Sequence, residues 1–95
     1  MDFEYDPQKS VLNKIKHGID FETAKELWLD LNAFEVASSN EGEERYLVVG
    51  RIDEVCWTAI VTKRNDVIRI ISVRRSRTSE VQVYDHRKRA RRKIR

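Results

Sequence analysis

The residues of this chain best suited to chemistry lie close together in Arg69-Ile-Ile-Ser-Val-Arg74-Arg75-Ser-Arg77-Thr-Ser-Glu80-Val-Gln-Val-Tyr84. A mostly apolar strand delivers arginines to its end, and a helix then begins with a glutamate. Guanidinium groups can hold a phosphate and stabilise the extra negative charge of a phosphorane-like transition state, while a nearby carboxylate removes a ribose 2′-OH proton. Glu80 and Tyr84 are one helical turn apart, with Arg77 a turn before and Arg87 two turns after the glutamate, so an acid, a phenol and guanidinium groups share a helix face. The same spacing also describes a solvated ion-pair face with no chemistry at all. The neighbouring Arg69, Arg74 and Arg75 tilt the balance toward a phosphate site.

Other candidates are weaker. His17, in Lys16-His17-Gly18, has an unperturbed pKa near neutrality and could protonate a leaving 5′-oxygen, or it could simply favour a helix C-terminus. Trp28 and Trp57 sit at core-like positions, and Glu44-Arg45 could be a loop-edge pair. Familiar cofactor signals are missing: Gly18, Gly42 and Gly50 are isolated, and Cys56, His17 and His86 lack metal-ligand spacing. No cofactor and no metal are expected, and the lone Cys56 in an apolar run reads as an inert core thiol of a protein from the reducing cytosol.

Several elements must position these groups. Phe3 and Tyr5 alternate with acids in a short strand, and Asp6-Pro7 offers an N-cap and a proline at the first helical position. In the helix that follows, Val11, Leu12 and Ile15 form an apolar stripe, and Gly18 stands where a left-handed cap is wanted. Asp20 can cap a second helix with Phe21, Ala24, Leu27, Trp28 and Leu31 on its inner side. A strand is expected over Ala33 to Ala37 and a loop over Ser38 to Glu43. Three strands then follow over Arg45–Arg51, Val55–Thr62 and Val67–Val73, joined by the short breaks Asp53-Glu54 and Arg64-Asn65-Asp66. In the last strand Ile68 and Ile70 fall on one face, Ile71 and Val73 on the other. Ser76 or Thr78 can cap a final helix carrying Glu80, Val83, Tyr84, Arg87, Ala90 and Ile94. The expected fold is α+β and two-layered: an antiparallel sheet with two N-terminal helices and a C-terminal helix, in the order β-α-α-β-β-β-β-α.

The chain has 95 residues and a net charge of +3, unevenly spread. Residues 1–68 carry 8 Lys+Arg against 14 Asp+Glu, or −6, whereas 69–95 carry 11 against 2, or +9. Such a basic segment is the electrostatic footprint of a phosphate backbone, although an acidic protein or an anionic membrane would match it too. The N-terminus has no signal-peptide pattern and no stretch approaches a membrane span, so a cytoplasmic protein with no membrane partner is expected.

Taken in order, Phe3-Glu-Tyr-Asp-Pro7, Asn13 with Lys16-His17-Gly18, Phe21-Glu22 with Ala24, Glu44-Arg45 with Gly50, and Ile68-Arg69-Ile70-Ile71-Ser72 followed by Arg74-Arg75, Glu80 and Tyr84 resemble the BrnT toxins, relatives of the RelE-like ribonuclease toxins. The resemblance implies a toxin domain over residues 1–85, with 86–95 as a basic extension. It implies an endoribonuclease that blocks translation, is neutralised by a ribbon-helix-helix antitoxin, and meets operator DNA only through that antitoxin. The site it implies has Arg69, Arg74, Arg75, Glu80 and Tyr84 at its core, with Lys16, Arg45 and the candidate acid His17 as weaker members; the charge of the C-terminal segment, not the resemblance, adds Arg77, Arg87, Lys88 and Arg89 as contacts to RNA, free or on the ribosome. The chain departs from the family pattern at Val73, at Arg77, where a helix-capping threonine is usual, and in its basic tail. Two other readings stay open: a non-catalytic RNA- or ribosome-binding module, and an obligate protein-interaction partner.

Overall fold

Two side-chain caps start the helical part of the molecule as expected. In the computed structural model, which describes residues 1–40 and 43–93, Asp6 accepts a hydrogen bond from the backbone N–H of Gln8 and Asp20 one from that of Thr23. Strand β1 (Asp2–Glu4) leads into helix α1 (Pro7–His17), which Gly18 closes in the left-handed conformation at φ 88°. The short helix α2 (Phe21–Ala24) passes directly into a 3₁₀ segment (Lys25–Leu29). Strands β2 (Phe34–Asn40), β3 (Glu43–Ile52), β4 (Val55–Arg64) and β5 (Val67–Arg75) follow, and helix α3 (Thr78–Lys93) ends the described chain.

The sheet runs in the order β1-β5-β4-β3-β2. Strands β2 to β5 form an antiparallel meander. Asn65 and Asp66 turn the last hairpin with φ of 50° and 68°, both in the left-handed region that a two-residue turn of this hand requires. The sheet is mixed, however, because β1 pairs parallel to β5 through Phe3 and Ile68. A wholly antiparallel sheet is therefore corrected at its edge: α1 and α2 lie between β1 and the meander in sequence, which gives the chain length enough for a crossover.

Residues paired across a ladder share a face. One face presents Val48, Trp57, Ala59, Val61, Ile68, Ile70 and Val73, which pack with Ile19, Phe21, Ala24 and Leu27 into the core. Val73 joins Ile68 and Ile70, contrary to strict alternation, because the β4–β5 register slips between Ile60 and Val61 and leaves Ile71 as an extra residue.

Helix α1 contributes differently from expectation. Its stripe points outward, with Val11, Leu12 and Ile15 60%, 63% and 77% exposed, and it buries Ser10 and Asn13 instead. The Asn13 amide donates to the carbonyls of Ile19 and Val73 and accepts from the Val73 N–H, while Ser10 Oγ accepts from the N–H of Phe21. Beyond Glu4, β1 no longer covers the edge of β5, and Asn13 pairs there in place of a strand. Satisfying those buried backbone groups decides which side of α1 faces in.

The second helix is also shorter than its sequence pattern. Leu31 lies beyond it, 78% exposed, since the chain tightens into the 3₁₀ turn and Asp30 then leaves the helix in an extended conformation. Strand β2 reaches Asn40 and β3 begins at Glu43, so the expected 38–43 loop is reduced, with Glu41 and Gly42 outside the described residues. Residues 86–93 continue α3 without a break, while Ile94 of its expected stripe lies outside the described residues. Among the described residues no helix is long and apolar enough to cross a membrane.

Candidate RNA-facing site

The other face of the sheet carries the charge. Its ladder partners are Thr58 with Arg74 and Thr62 with Arg69. Strict alternation along β5 would have set Arg69 with Arg75 and against Arg74. The bulge reverses that, placing Arg69 and Arg74 on one face and Arg75 on the other, opposite Trp57, whose ring lies 5.5 Å from the Arg75 guanidinium carbon. Arg69 and Arg74 stand four β4 residues apart, roughly 13 Å along the strand. Arg45 immediately precedes Tyr46, which pairs with Val61, so it stands beside Thr62 on the same face as Arg69. Its Nε is buried with no hydrogen-bond partner among the described residues.

Helix α3 crosses one end of this face. Glu80 meets Thr58 and Arg74, Tyr84 lies under the Arg51 guanidinium at 5.8 Å, and Arg87 reaches the Phe34 ring at 5.5 Å. These contacts fall successively on β5 and β4, then β3, then β2. The part of the face bearing Arg45, Thr62, Arg69 and Ser72 lies beyond them.

Glu80 is the most heavily engaged carboxylate of the site. Both its oxygens accept from the two terminal nitrogens of Arg74, at 2.8 and 2.9 Å. It also accepts from Thr58 Oγ1 at 3.0 Å and from the backbone N–H of Arg77 at 2.7 Å. The last bond is the reach-back half of a capping box, made to the residue just before the first helical one. This corrects the expectation that Ser76 or Thr78 provides the cap: the Ser76 hydroxyl is hydrogen-bonded to Thr58 Oγ1 instead. The bidentate Arg74 guanidinium, followed by the Arg77 N–H and Thr58, holds the Glu80 carboxyl down at about 2. Arg74 is raised in turn, first by the same pair.

Tyr84 belongs to a different arrangement. It is 2% exposed, and its hydroxyl donates to Asp30 at 2.8 Å. Burial, then that hydrogen bond, pushes the phenol up to about 12. Asp30 also accepts from the N–H groups of Arg51 and Asn32, and so ties the end of the 3₁₀ segment to β3 and α3. Gly50 makes this approach possible, because a Cβ there would meet Leu27, Ala33 and Asp30 at 3.1 to 3.3 Å. Sequence reasoning singled out neither Asp30 nor Arg51, whose signals are long-range contacts rather than local spacing.

The remaining candidates are dispersed. Lys16 is exposed and His17 half-buried in the last turn of α1, the turn after Asn13 and thus near the β5 edge. Arg77 is exposed in the β5–α3 link, with Arg87 and Arg89 exposed and Lys88 half-buried on α3. Arg69 makes a 3.5 Å ion pair with Glu4 in which both side chains are about half exposed, a contact a phosphate can displace at little cost. Cys56 is half-buried, and burial pushes its thiol up, away from thiolate reactivity. Among the described residues no group of three His, Cys, Asp or Glu side chains gathers as metal ligands.

A family model described as ribonuclease toxin, BrnT, of type II toxin-antitoxin system matches residues 5–80. That stretch includes every element from α1 to β5 and the first residues of α3. Comparison with proteins of curated function finds no match. With four-fifths of its length matched, the chain belongs to the BrnT family, a membership that implies an RNA substrate and an antitoxin partner.

Proposed function

We propose that the chain is a metal-independent endoribonuclease whose working surface is the sheet face bearing Arg45, Arg69 and Arg74. The observation that carries this reading is the two-point Arg74–Glu80 pair on the same face as the other two arginines. A guanidinium already oriented toward an oxyanion is preorganised for a phosphodiester, which offers the same two-oxygen geometry.

In the proposed reaction the ribose 2′-oxygen attacks the adjacent phosphorus and the bond from phosphorus to the 5′-oxygen breaks. The products are a 2′,3′-cyclic phosphate and a free 5′-hydroxyl. Held at about 2, Glu80 is too weak a base while Arg74 occupies it. Transfer of Arg74 to the phosphate removes the largest influence on Glu80 and frees an oxygen to take the 2′-OH proton. Glu80 thus serves first to orient Arg74 and then as the base. Tyr84 is assigned a positioning role through Asp30, and Arg75, beside Trp57, is left outside the reacting group. His17 remains the candidate for protonating the leaving oxygen. The cations of α3, Arg87, Lys88 and Arg89 among them, extend the contact along the RNA.

Inhibition of translation in the cytoplasm, on free or ribosome-bound RNA, follows from this activity. Neutralisation by a ribbon-helix-helix antitoxin, through which alone the complex reaches operator DNA, completes the reading, along with a RelE-like relationship of the fold. The test is to incubate RNA with the purified chain in excess EDTA and analyse the ends. Cyclic-phosphate and 5′-hydroxyl ends are expected; 5′-phosphate ends, or cleavage only with added divalent cation, overturn the mechanism.

A further inference from the structure

Helix α1 presents an apolar stripe that the fold leaves uncovered. Val11, Leu12 and Ile15 are neighbours at helical spacing and are 60–77% exposed. At roughly 100° per residue they lie opposite Ser10 and Asn13, the pair that fastens α1 to Phe21, Ile19 and Val73. The stripe therefore cannot turn inward without stripping those backbone groups of their partners. The same geometry puts Lys14 on one flank of the stripe and Lys9 and Lys16 on the other, and α1 holds no acidic residue.

An apolar ridge with cations on both sides specifies its complement: a segment whose own apolar residues meet Val11, Leu12 and Ile15, with carboxylates reaching the lysines. Pairing α1 with the α1 of a second copy would set lysines against lysines, at an electrostatic cost. RNA has no use for three aliphatic side chains. A membrane-surface helix depends on a longer apolar face, commonly with aromatic residues, than these three positions supply.

We propose that α1 is a docking site for the antitoxin, occupied by an amphipathic helix of that partner with acidic residues flanking its apolar ridge. This rests on the family reading only for the existence of the partner, and it does not depend on the chain being catalytic. The stripe points away from the sheet, so the site anchors the antitoxin without itself closing over Arg74 and Glu80. Neutralisation then requires the partner's chain to continue from α1 to the arginine face.

The test uses the full chain and its cognate antitoxin, co-expressed and then separated. On recombination the methyl resonances of Val11, Leu12 and Ile15 should shift. Ile15→Glu and Leu12→Glu should each weaken the complex at least tenfold, and Lys9→Glu/Lys14→Glu should weaken it and flatten its salt dependence. Because these side chains are exposed, melting temperatures and RNA cleavage by the free variants should match the parent. Unshifted methyls with affinity unchanged within twofold overturn the proposal. Methyl shifts that grow with toxin concentration alone, or Ile15-dependent sedimentation with anionic phospholipid vesicles at unchanged antitoxin affinity, overturn it in favour of a second copy or a membrane. Failure of the free chain to cut RNA would sink the catalytic reading and leave the docking result standing.

Discussion

Arg74 and Glu80 join the end of β5 to the first turn of α3 through two parallel hydrogen bonds, with side chains only 21% and 15% exposed. The folded-state carboxyl titrates near 2, well below the usual glutamate value of 4.5. A depressed acid stabilises the fold fully above its unfolded pKa and loses that contribution as pH falls through its folded one. The pair and its supporting bonds should therefore contribute on the order of 3 kcal/mol above pH 5, decaying between about pH 4.5 and 2. Melting temperatures measured across that window should fall steeply in the parent and less so in Glu80→Gln. Parallel curves would mean that the ion pair does not stabilise the fold.

Tyr84→Phe separates a positioning role from a chemical one. The variant keeps the buried ring and loses one bond to Asp30, which retains the N–H groups of Arg51 and Asn32. A loss of about 1–2 kcal/mol is expected, read by urea unfolding. Cleavage of RNA should stay within a few-fold of the parent. A drop of a hundredfold in a folded variant would show that the phenol takes part in proton transfer.

Asn13→Ala tests the unusual attachment of α1. It removes three hydrogen bonds and strands the buried Val73 and Ile19 backbone groups. The expected cost is roughly 2–4 kcal/mol, or on the order of 10 °C in melting temperature for a domain of this size. Asn13→Leu should be no better, although it makes α1 more apolar. Rescue by leucine would instead show that α1 is held by hydrophobic packing.

Much of this arrangement was legible in the chain. The caps Asp6, Asp20 and Gly18 are local signals, as are the two hairpins and the alignment of Arg74 with Glu80 at the junction of a strand and a helix. What escaped depends on partners far away in sequence. Val11, Leu12 and Ile15 read as an inner stripe because nothing local reveals that Asn13 will pair with Val73, 60 residues on. Asp30 looks like any loop acid until Arg51 and Tyr84, 21 and 54 residues distant, converge on it. Which of Arg74 and Arg75 shares a face with Arg69 also hinges on one register slip, which no alternation pattern announces.

The α3 cations should govern affinity more than chemistry. Arg89, Arg91 and Arg92 are exposed beyond the part of α3 that covers the sheet. Changing all three to glutamine should weaken RNA binding and reduce the slope of log affinity against log salt by up to about 0.7 for each phosphate no longer neutralised. The single-turnover rate at saturating RNA should be little changed. An unchanged slope would remove these residues from the RNA path.

The decisive comparison is Glu80→Gln with Arg74→Lys and Arg74→Ala. If Arg74 passes from Glu80 to the phosphate, then removing the carboxylate's charge makes Arg74 easier to take, and Glu80→Gln should bind RNA as tightly as the parent or more so. Its cleavage should nevertheless fall, because an amide cannot accept the 2′-OH proton; a positioned base typically contributes roughly 10²- to 10⁴-fold. Arg74→Ala should lose both binding and rate, since the guanidinium contacts the phosphate in the ground state and more strongly as charge develops. Arg74→Lys keeps the charge but not the fork, so it should recover binding more than rate. Equilibrium binding and single-turnover cleavage, measured on variants shown by melting to be folded, distinguish these outcomes. Should Glu80→Gln cut as fast as the parent, the carboxylate only fastens α3 to β5 and the proton goes elsewhere, with His17 the next residue to replace.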